Sequence, residues 1–302
     1  KDFSVVKQCD VLWITLDTPV NARDQADTRP IFLAIKKARP FLKKGVLVIV
    51  SSQLPVGTSK KVQELLRNKN KEIAYAYIPE NLRLGKGVES FMKPGRVVIG
   101  ADDKKTSRII KRILSKVKCD FLFMNPASAE MVKHALNSFL ATSLSFIYDI
   151  ADICEKEGAD ILAVSRALKS DPRIGQKAYL DASVGFSGGT LGRDLQYLKK
   201  EGRRFRAALP VITAAYEKNK ERQSIVFKKL HELGEFSGKR VAILGLTYKP
   251  GTTTLRRSLA LEIASRLYKK GARISLYDPA LCEDDVRREW NNDFRYGENM
   301  YD

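Results

Sequence analysis

The sequence predicts an α/β protein with two parallel sheets joined by a long central helix and further helices. Two observations carry this prediction. Short apolar runs alternate with amphipathic stretches toward both ends of the 302-residue chain, and this is the pattern of a parallel sheet covered by helices. Between the two ends, the stretch 128–157 is the longest segment with a helical period.

We predict that the first sheet consists of five strands separated by helices. Residues 46–50 (VLVIV) form a continuous apolar run, typical of a parallel strand that is buried on both faces. The predicted strands are 9–16, 46–50, 73–78, 96–99 and 121–124, and the predicted helices are 31–42, 58–68 and 107–114.

The rest of the chain is predicted as helices followed by a second α/β segment. Met131, Ala135, Phe139, Thr142 and Phe146 share one face of the long helix, which Gly158 ends. Further helices are predicted at 161–168, 195–198 and 259–268, and strands at 240–244 and 273–277. We therefore predict three domains, 1–125, 126–236 and 237–302, with the last one truncated.

Composition excludes several classes of protein. No apolar run approaches the ~20 residues of a membrane span, and four scattered cysteines without CxxC spacing predict reduced thiols in a cytoplasmic protein. Two histidines make a His-based metal site unexpected, so we predict no metal. The net charge of +19 has two interpretations. A polyanionic partner such as nucleic acid is one, and solvated helix faces are the other; scattered lysine pairs favour the second.

The residues between Gly185 and Asp194 (GFSGGTLGRD) form the most distinctive segment, because four of its first eight residues are glycines. Glycine lets a backbone turn tightly and approach a ligand closely. This segment and others in order along the chain resemble motifs of the UDP-glucose/GDP-mannose dehydrogenase family, whose active-site loop reads GFGGSCFPKD. The other similar segments are 16–27, 51–58, 79–100, 129–146, 171–175 and 245–258.

The resemblance implies an NAD-binding Rossmann-like domain, a helical central domain that forms a homodimer, and a C-terminal Rossmann-like domain that binds the nucleotide. A dinucleotide fold opens with a Gly-rich turn, and no GxGxxG occurs here. We therefore expect the opening β-α-β segment to lie outside this sequence. The family oxidises a nucleotide sugar twice with NAD, and a cysteine carries the second oxidation as a thioester.

The resemblance also assigns catalytic residues. Lys133 and Asn137 stand at i and i+4 on one helix face and would hold a water or an oxyanion beside the reacting carbon. Asp194 would help to activate the water, and Thr190 stands at the position of the catalytic cysteine. Without the resemblance, Lys133 is a surface cation, Asn137 packs a helix, and Asp194 is the N-cap of a helix that begins at Leu195.

Binding residues are assigned in the same way. The cofactor-binding positions are Thr18, Gln53, Arg193 and Arg256. The substrate-binding positions are Glu80, Lys133, Asn137, Arg173, Tyr179, Leu180, Ser187, Gly188 and Lys249. Arg173 would reach the nucleotide sugar of a neighbouring protomer, since a planar guanidinium suits a diphosphate.

The departures from the family pattern concentrate around the chemistry. Thr190 replaces the cysteine, Leu84 replaces a glutamate, and Gln53 replaces a threonine. A threonine hydroxyl is a poor nucleophile without a base. We therefore expect an NAD-dependent oxidoreductase of a nucleotide sugar, UDP-linked, that makes one two-electron oxidation or an oxidation within an epimerisation. The alternatives are an ordinary UDP-hexose 6-dehydrogenase and a non-catalytic nucleotide-sugar-binding protein.

Overall fold

The structure, a computed structural model, describes residues 2–19, 26–67, 72–80, 82, 85–186, 190–232, 234–248, 251–255 and 257–297. It confirms the α/β class. Two compact units divide the chain, Lys1–Leu136 and Asn137–Asp302. The three-domain division stays a prediction.

The first unit contains a five-stranded sheet in the order β1-β2-β3-β4-β5. Its strands are β1 Val11–Ile14, β2 Leu47–Val50, β3 Ala74–Tyr77, β4 Arg96–Gly100 and β5 Asp120–Met124. All neighbours run parallel except β3 and β4, which pair antiparallel through Tyr77 and Gly100. Every residue of β2 is buried, as its unbroken apolar sequence predicts.

Helices cover both faces of this sheet. They are α1 Arg29–Ala38, α2 Thr58–Leu66, α3 Gly87–Met92 and α4 Lys104–Ile113. One apolar core includes Ile31, Ile35, Val48, Val50 and Val62. A second core on the other face joins β2, β3 and β4 to Ile110 of α4. Two separate cores are the consequence of a sheet that is apolar on both faces.

The long helix α5 spans Pro126–Glu157 and continues into the second unit. There it is followed by α6 Ile161–Ser170, α7 Leu191–Phe205, α8 Pro210–Gln223 and α9 Ile225–Glu232. Ile147, Tyr148 and Leu195 are fully buried in the core of this helical part.

The second sheet is parallel and contains β6 Arg240–Leu244, β7 Arg273–Tyr277 and β8 Arg295–Tyr296. Its helices are α10 Leu259–Lys269, which Ser258 caps, and α11 Glu283–Glu289. No helix in the described ranges combines the length and apolarity that a membrane crossing requires.

Candidate active site

The carboxyl ends of β1 and β2 are joined by side-chain hydrogen bonds. The Thr18 hydroxyl donates to the Gln53 carbonyl at 3.1 Å, and the Ser52 hydroxyl donates to the Leu16 carbonyl at 2.5 Å. Thr18 and Ser52 are both buried. Ligands of open α/β sheets bind at the carboxyl ends of the strands, and two of the predicted cofactor-binding residues therefore meet at a suitable edge.

Glu130 connects the start of α5 to the start of α2. Its two carboxylate oxygens accept from the backbone N–H groups of Gly57 and Ser59, each at 2.6 Å. The Tyr75 hydroxyl donates to the Ser59 hydroxyl at 2.8 Å. Glu130 is completely buried; burial raises its pKa, and the hydrogen bonds from Ser59 and Gly57 oppose that rise.

Sequence reasoning assigned no role to Glu130. Glu130 contacts the N-terminus of a helix that is distant in sequence. Its only local sequence signal is its place three residues before Lys133. The two hydrogen bonds of Glu130 hold the first turns of α5, where Lys133 lies partly buried. His134 is buried in the same stretch, with its Nε2 3.1 Å from the Leu54 carbonyl.

In the second unit, Asn137 and Asp194 form a buried pair. The Asn137 amide donates to a carboxylate oxygen of Asp194. The exposed fractions are 5% for Asn137 and 0% for Asp194. Two of the four predicted catalytic residues are thereby in contact.

The interpretation of Asp194 as a helix N-cap is wrong. Helix α7 begins at Leu191 and Thr190 is its N-cap residue, so Asp194 already lies within the first turn, where its N–H donates to the Thr190 carbonyl at 3.2 Å. The N-cap lies earlier in the sequence than predicted, because Leu191 and Gly192 already belong to the helix. An acidic residue near a helix N-terminus interacts favourably with the helix dipole.

Thr190 makes no side-chain capping bond to α7 and is partly buried. Arg193, in the same first turn, is partly buried as well. Thr190 therefore stands directly before the helical turn that contains Arg193 and Asp194.

The substrate-binding residues are more dispersed. Arg173 is exposed and forms a two-pronged pair with Asp171 within its own turn, at 2.8 and 3.1 Å. Tyr179 is about half exposed, whereas Leu180 is buried and its carbonyl accepts from the Ser165 hydroxyl at 2.7 Å. Glu80 is exposed and accepts from the Leu82 N–H. The predicted residues Ser187, Gly188, Lys249 and Arg256, and the substituted Leu84, lie outside the described residues.

Asp278, at the end of β7, holds the loop that follows β6. Its Oδ2 accepts from the N–H groups of Leu246 and Thr247 at 2.7 and 3.0 Å, and its Oδ1 accepts from the Ala280 N–H at 2.9 Å. Burial opposes ionisation, yet these hydrogen bonds outweigh it and lower the pKa of Asp278. Sequence reasoning missed this role, although the Asp-Pro pair directly after a strand was its signal.

Comparison with known proteins agrees with this layout. Models of the UDP-glucose/GDP-mannose dehydrogenase family match the chain three times in order: the NAD binding domain over residues 1–118, the central domain over 127–221 and the UDP binding domain over 242–302. The chain belongs to this family. It contains the family's NAD-binding and UDP-binding domains.

Relatives extend the match along the chain. A UDP-glucose 6-dehydrogenase of Rickettsia bellii is 33% identical over 96% of this chain and 68% of its own length. The UDP-glucose 6-dehydrogenase TuaD of Bacillus subtilis is 36% identical over 91% of this chain and 60% of its own length. The chain spans between 60% and 69% of the length of the curated relatives it matches.

Solved structures give the same result for the fold. A UDP-glucose dehydrogenase from Pyrobaculum islandicum superposes with a TM-score of 0.90 at 30% identity, covering 99% of this chain and 71% of that one. A UDP-D-ManNAc dehydrogenase from Pyrococcus horikoshii superposes with a TM-score of 0.81 at 22% identity, covering 93% and 68%. The second shares the fold alone.

Proposed function

We propose that this member of the family oxidises a UDP-sugar with NAD and removes one hydride, either as a net oxidation or within an epimerisation. The observation that carries the proposal is the first turn of α7. Asp194 and its partner Asn137 are present and buried, while Thr190 stands in place of the nucleophilic cysteine. The parts that serve the first oxidation are kept, and the group needed for a thioester is not.

The residues of the first unit fit a nicotinamide cofactor. Thr18, Gln53 and the backbone beside them occupy the carboxyl edge of β1 and β2, where a dinucleotide binds in open α/β sheets. NAD, when bound, accepts the hydride that leaves the sugar carbon. Arg193 and Arg256 are the further residues that would contact it by resemblance.

Each catalytic side chain has a distinct task in a single oxidation. The alcohol loses a hydride from carbon and a proton from oxygen, so its oxygen carries negative charge as the hydride leaves. Lys133, one helical turn before Asn137 in α5, supplies a cation for that oxygen. The Asn137–Asp194 pair would hold the water that passes this proton to the Asp194 carboxylate, since Asn137 keeps the carboxylate oriented. Thr190 contributes no thiolate, and the aldehyde is therefore the end of the oxidation.

Product stoichiometry tests the proposal. The protein is incubated with UDP-glucose and excess NAD, NADH is counted by absorbance, and the sugar product is identified by mass spectrometry after trapping aldehydes with hydroxylamine. A net oxidation predicts one NADH per sugar oxidised and an oxime, whereas an oxidation within an epimerisation predicts an epimeric UDP-sugar without net NADH. Two NADH and a uronate contradict the proposal.

Complete oxidation to the uronate is a second candidate. The relatives named UDP-glucose 6-dehydrogenase cover more than nine tenths of this chain, and that observation favours it. In this case the hydrated aldehyde loses the second hydride directly, without a covalent enzyme intermediate. The stoichiometry above decides between the two. Calorimetric binding of a UDP-sugar with neither NADH nor an epimeric sugar formed would instead support the non-catalytic binding protein.

The long helix supports a homodimer. Phe139, Phe146 and Ile153 repeat at intervals of seven residues along α5 and are 69%, 49% and 59% exposed. A stripe of large apolar side chains with this spacing is the pattern of a helix that packs against another helix. We propose that a second copy of this chain covers the stripe in a cytoplasmic dimer.

A further inference from the structure

The chain segment that leads into the glycine-rich sequence is held by one side chain of α8. The Oδ1 of Asn219 accepts from the Phe186 N–H at 2.8 Å, and its Nδ2 donates to the Phe186 carbonyl at 3.0 Å. The exposed fractions are 7% for Asn219 and 8% for Phe186. A single amide thus satisfies both backbone groups of Phe186, as a neighbouring strand would.

Two neighbouring residues of α8 extend this contact. The Gln223 amide donates to the same Phe186 carbonyl at 3.1 Å, and the Arg222 guanidinium donates to the Ser183 carbonyl at 2.7 Å. The Ser183 hydroxyl lies 3.0 Å from the hydroxyl of Tyr148 on α5. The backbone is therefore fixed at two points, Ser183 and Phe186, on either side of Gly185.

Gly185 makes this close approach possible. Its φ is +113°, and a Cβ added there would lie 2.9 Å from the Gln223 Cγ and 3.1 Å from the Asn219 Oδ1. Both the backbone conformation and the space exclude a larger residue. Gly185 and Asn219 are thus two halves of one contact.

We propose that Asn219 is a positioning residue for the oxidation, because it fixes the point from which the chain runs to Thr190 and on to the first turn of α7, which carries Asp194. Thr190 follows Phe186 by four positions, and consecutive Cα atoms are about 3.8 Å apart. Holding Phe186 therefore limits where Thr190 can lie. On the far side, the Asn137–Asp194 bond holds the first turn of α7. This inference rests on the proposed function for its catalytic consequence, but not for the contact itself.

An amide is the side chain that this contact requires. The Phe186 N–H needs an acceptor and its carbonyl needs a donor, and asparagine supplies both in the geometry of a peptide group. An ionised carboxylate is an acceptor only, and it would face the Phe186 carbonyl oxygen. A protonated carboxyl has one donor and one acceptor and would again match.

The first test is Asn219→Ala in the full chain, with Asn291→Ala as the matched control at an exposed asparagine. Amide hydrogen exchange of the peptide containing Phe186 measures the contact directly. Loss of a buried hydrogen-bond partner should speed exchange of the Phe186 amide by about 10- to 100-fold, and the control should leave it unchanged. Exchange as slow as in the unmodified protein would overturn the proposed contact.

The catalytic arm measures kcat and KM for the UDP-sugar with NAD. A displacement of about 1 Å of Asp194, the acting group in the first turn of α7, would cost about 100-fold in rate, so Asn219→Ala should lower kcat by up to that factor, more than it changes KM. Gln223→Ala, which removes one of two donors to the same carbonyl, should lower kcat less. Unchanged kcat together with faster Phe186 exchange would show that Asn219 is structural only.

Asn219→Asp adds a readout that a simple loss of stability would not give. The introduced carboxyl faces the Phe186 carbonyl in a buried position, which raises its pKa. The charged groups around it are mutually paired, namely Arg222 and Lys218 of α8 with Asp149 and Asp152 of α5. Relative to the unmodified protein, this variant should regain slow Phe186 exchange and kcat as the pH falls. A flat ratio across pH would contradict the proposal.

These arms separate the two claims. If the unmodified protein forms neither NADH nor an epimeric sugar while the variants change Phe186 exchange as expected, the proposed function fails and the Asn219 contact stands. If NADH forms normally and exchange does not respond to Asn219→Ala, the positioning role fails and the proposed function stands.

Discussion

Asn137 donates a hydrogen bond to Asp194 inside the helical unit, and this bond ties α5 to the first turn of α7. Both side chains are almost completely buried. A hydrogen bond to a charged acceptor contributes about 1.5–3 kcal/mol. Asp194 is also bonded to Thr190, whose carbonyl accepts from the Asp194 N–H. The position of Asp194 therefore affects the position of Thr190.

Asp194→Asn should lower kcat at least 100-fold while the protein remains folded, because the amide still accepts from Asn137 but cannot take a proton. Asp284→Asn on exposed α11 is the control. The exchange of both residues, Asn137→Asp with Asp194→Asn, should recover free energy of unfolding without recovering activity. Recovery of kcat in that double variant would show that the position of the charge is unimportant.

Glu130→Gln should lower the free energy of unfolding by about 1–3 kcal/mol, because the amide keeps one acceptor oxygen where Gly57 and Ser59 each use one. Urea denaturation measures the change. Glu64→Gln, at an exposed position of α2, should stay within about 0.5 kcal/mol of the unmodified protein. Equal effects of the two substitutions would remove Glu130 from its role in fixing α5.

Asp278 should make stability depend on acid pH. Its folded-state pKa is lowered by hydrogen bonds from the loop after β6, so its stabilising contribution is complete above its ordinary value of 3.8 and is lost as pH falls through the lower folded value. Asp278→Asn should therefore reduce the free energy of unfolding at pH 7 and reduce it progressively less as the pH falls below 3.8. An equal loss of unfolding free energy at pH 7 and at acid pH in Asp278→Asn, measured by denaturation, would contradict this assignment.

Phe146→Glu should separate the proposed dimer, because it places a charge in the centre of the Phe139–Ile153 stripe. Sedimentation equilibrium should show half the mass of the unmodified protein. Val211→Glu, at an exposed apolar residue of α8, should leave the mass unchanged. A monomeric unmodified protein would end the dimer proposal.

The sequence predicts β1 to β7, because each is a short and mainly apolar run between turn residues, and it misses β8, which is only two residues long. Strand β6 begins and ends at the predicted residues, and β2 differs from its prediction by one residue. Helix α7 is predicted too short, since Gly192 precedes a run of charged residues and hides its true start at Leu191. Helix α8 is missed because its apolar residues come first and its charged residues follow, which gives no helical stripe.

The residues of the candidate site also fall into those that the sequence selects and those that it misses. Motif resemblance selects Asn137 and Asp194, which are hydrogen-bonded in the structure, and Thr18 and Gln53, which are also joined by a hydrogen bond. The supporting residues Glu130, Asn219 and Asp278 bond to backbone groups that are distant in sequence. No local pattern records such partners, and only the folded chain identifies them. Proline at the start of α8 was the one signal for the helix that carries Asn219.

The number of hydrides removed from each sugar tests the account most directly. NADH and sugar product are counted with limiting UDP-glucose and excess NAD, for the unmodified protein and for Thr190→Cys. We predict one NADH and an aldehyde for the unmodified protein, and two NADH and a uronate for Thr190→Cys, because the thiolate supplies the missing nucleophile. Two NADH and a uronate from the unmodified protein would contradict the claim that Thr190 ends the oxidation at the aldehyde.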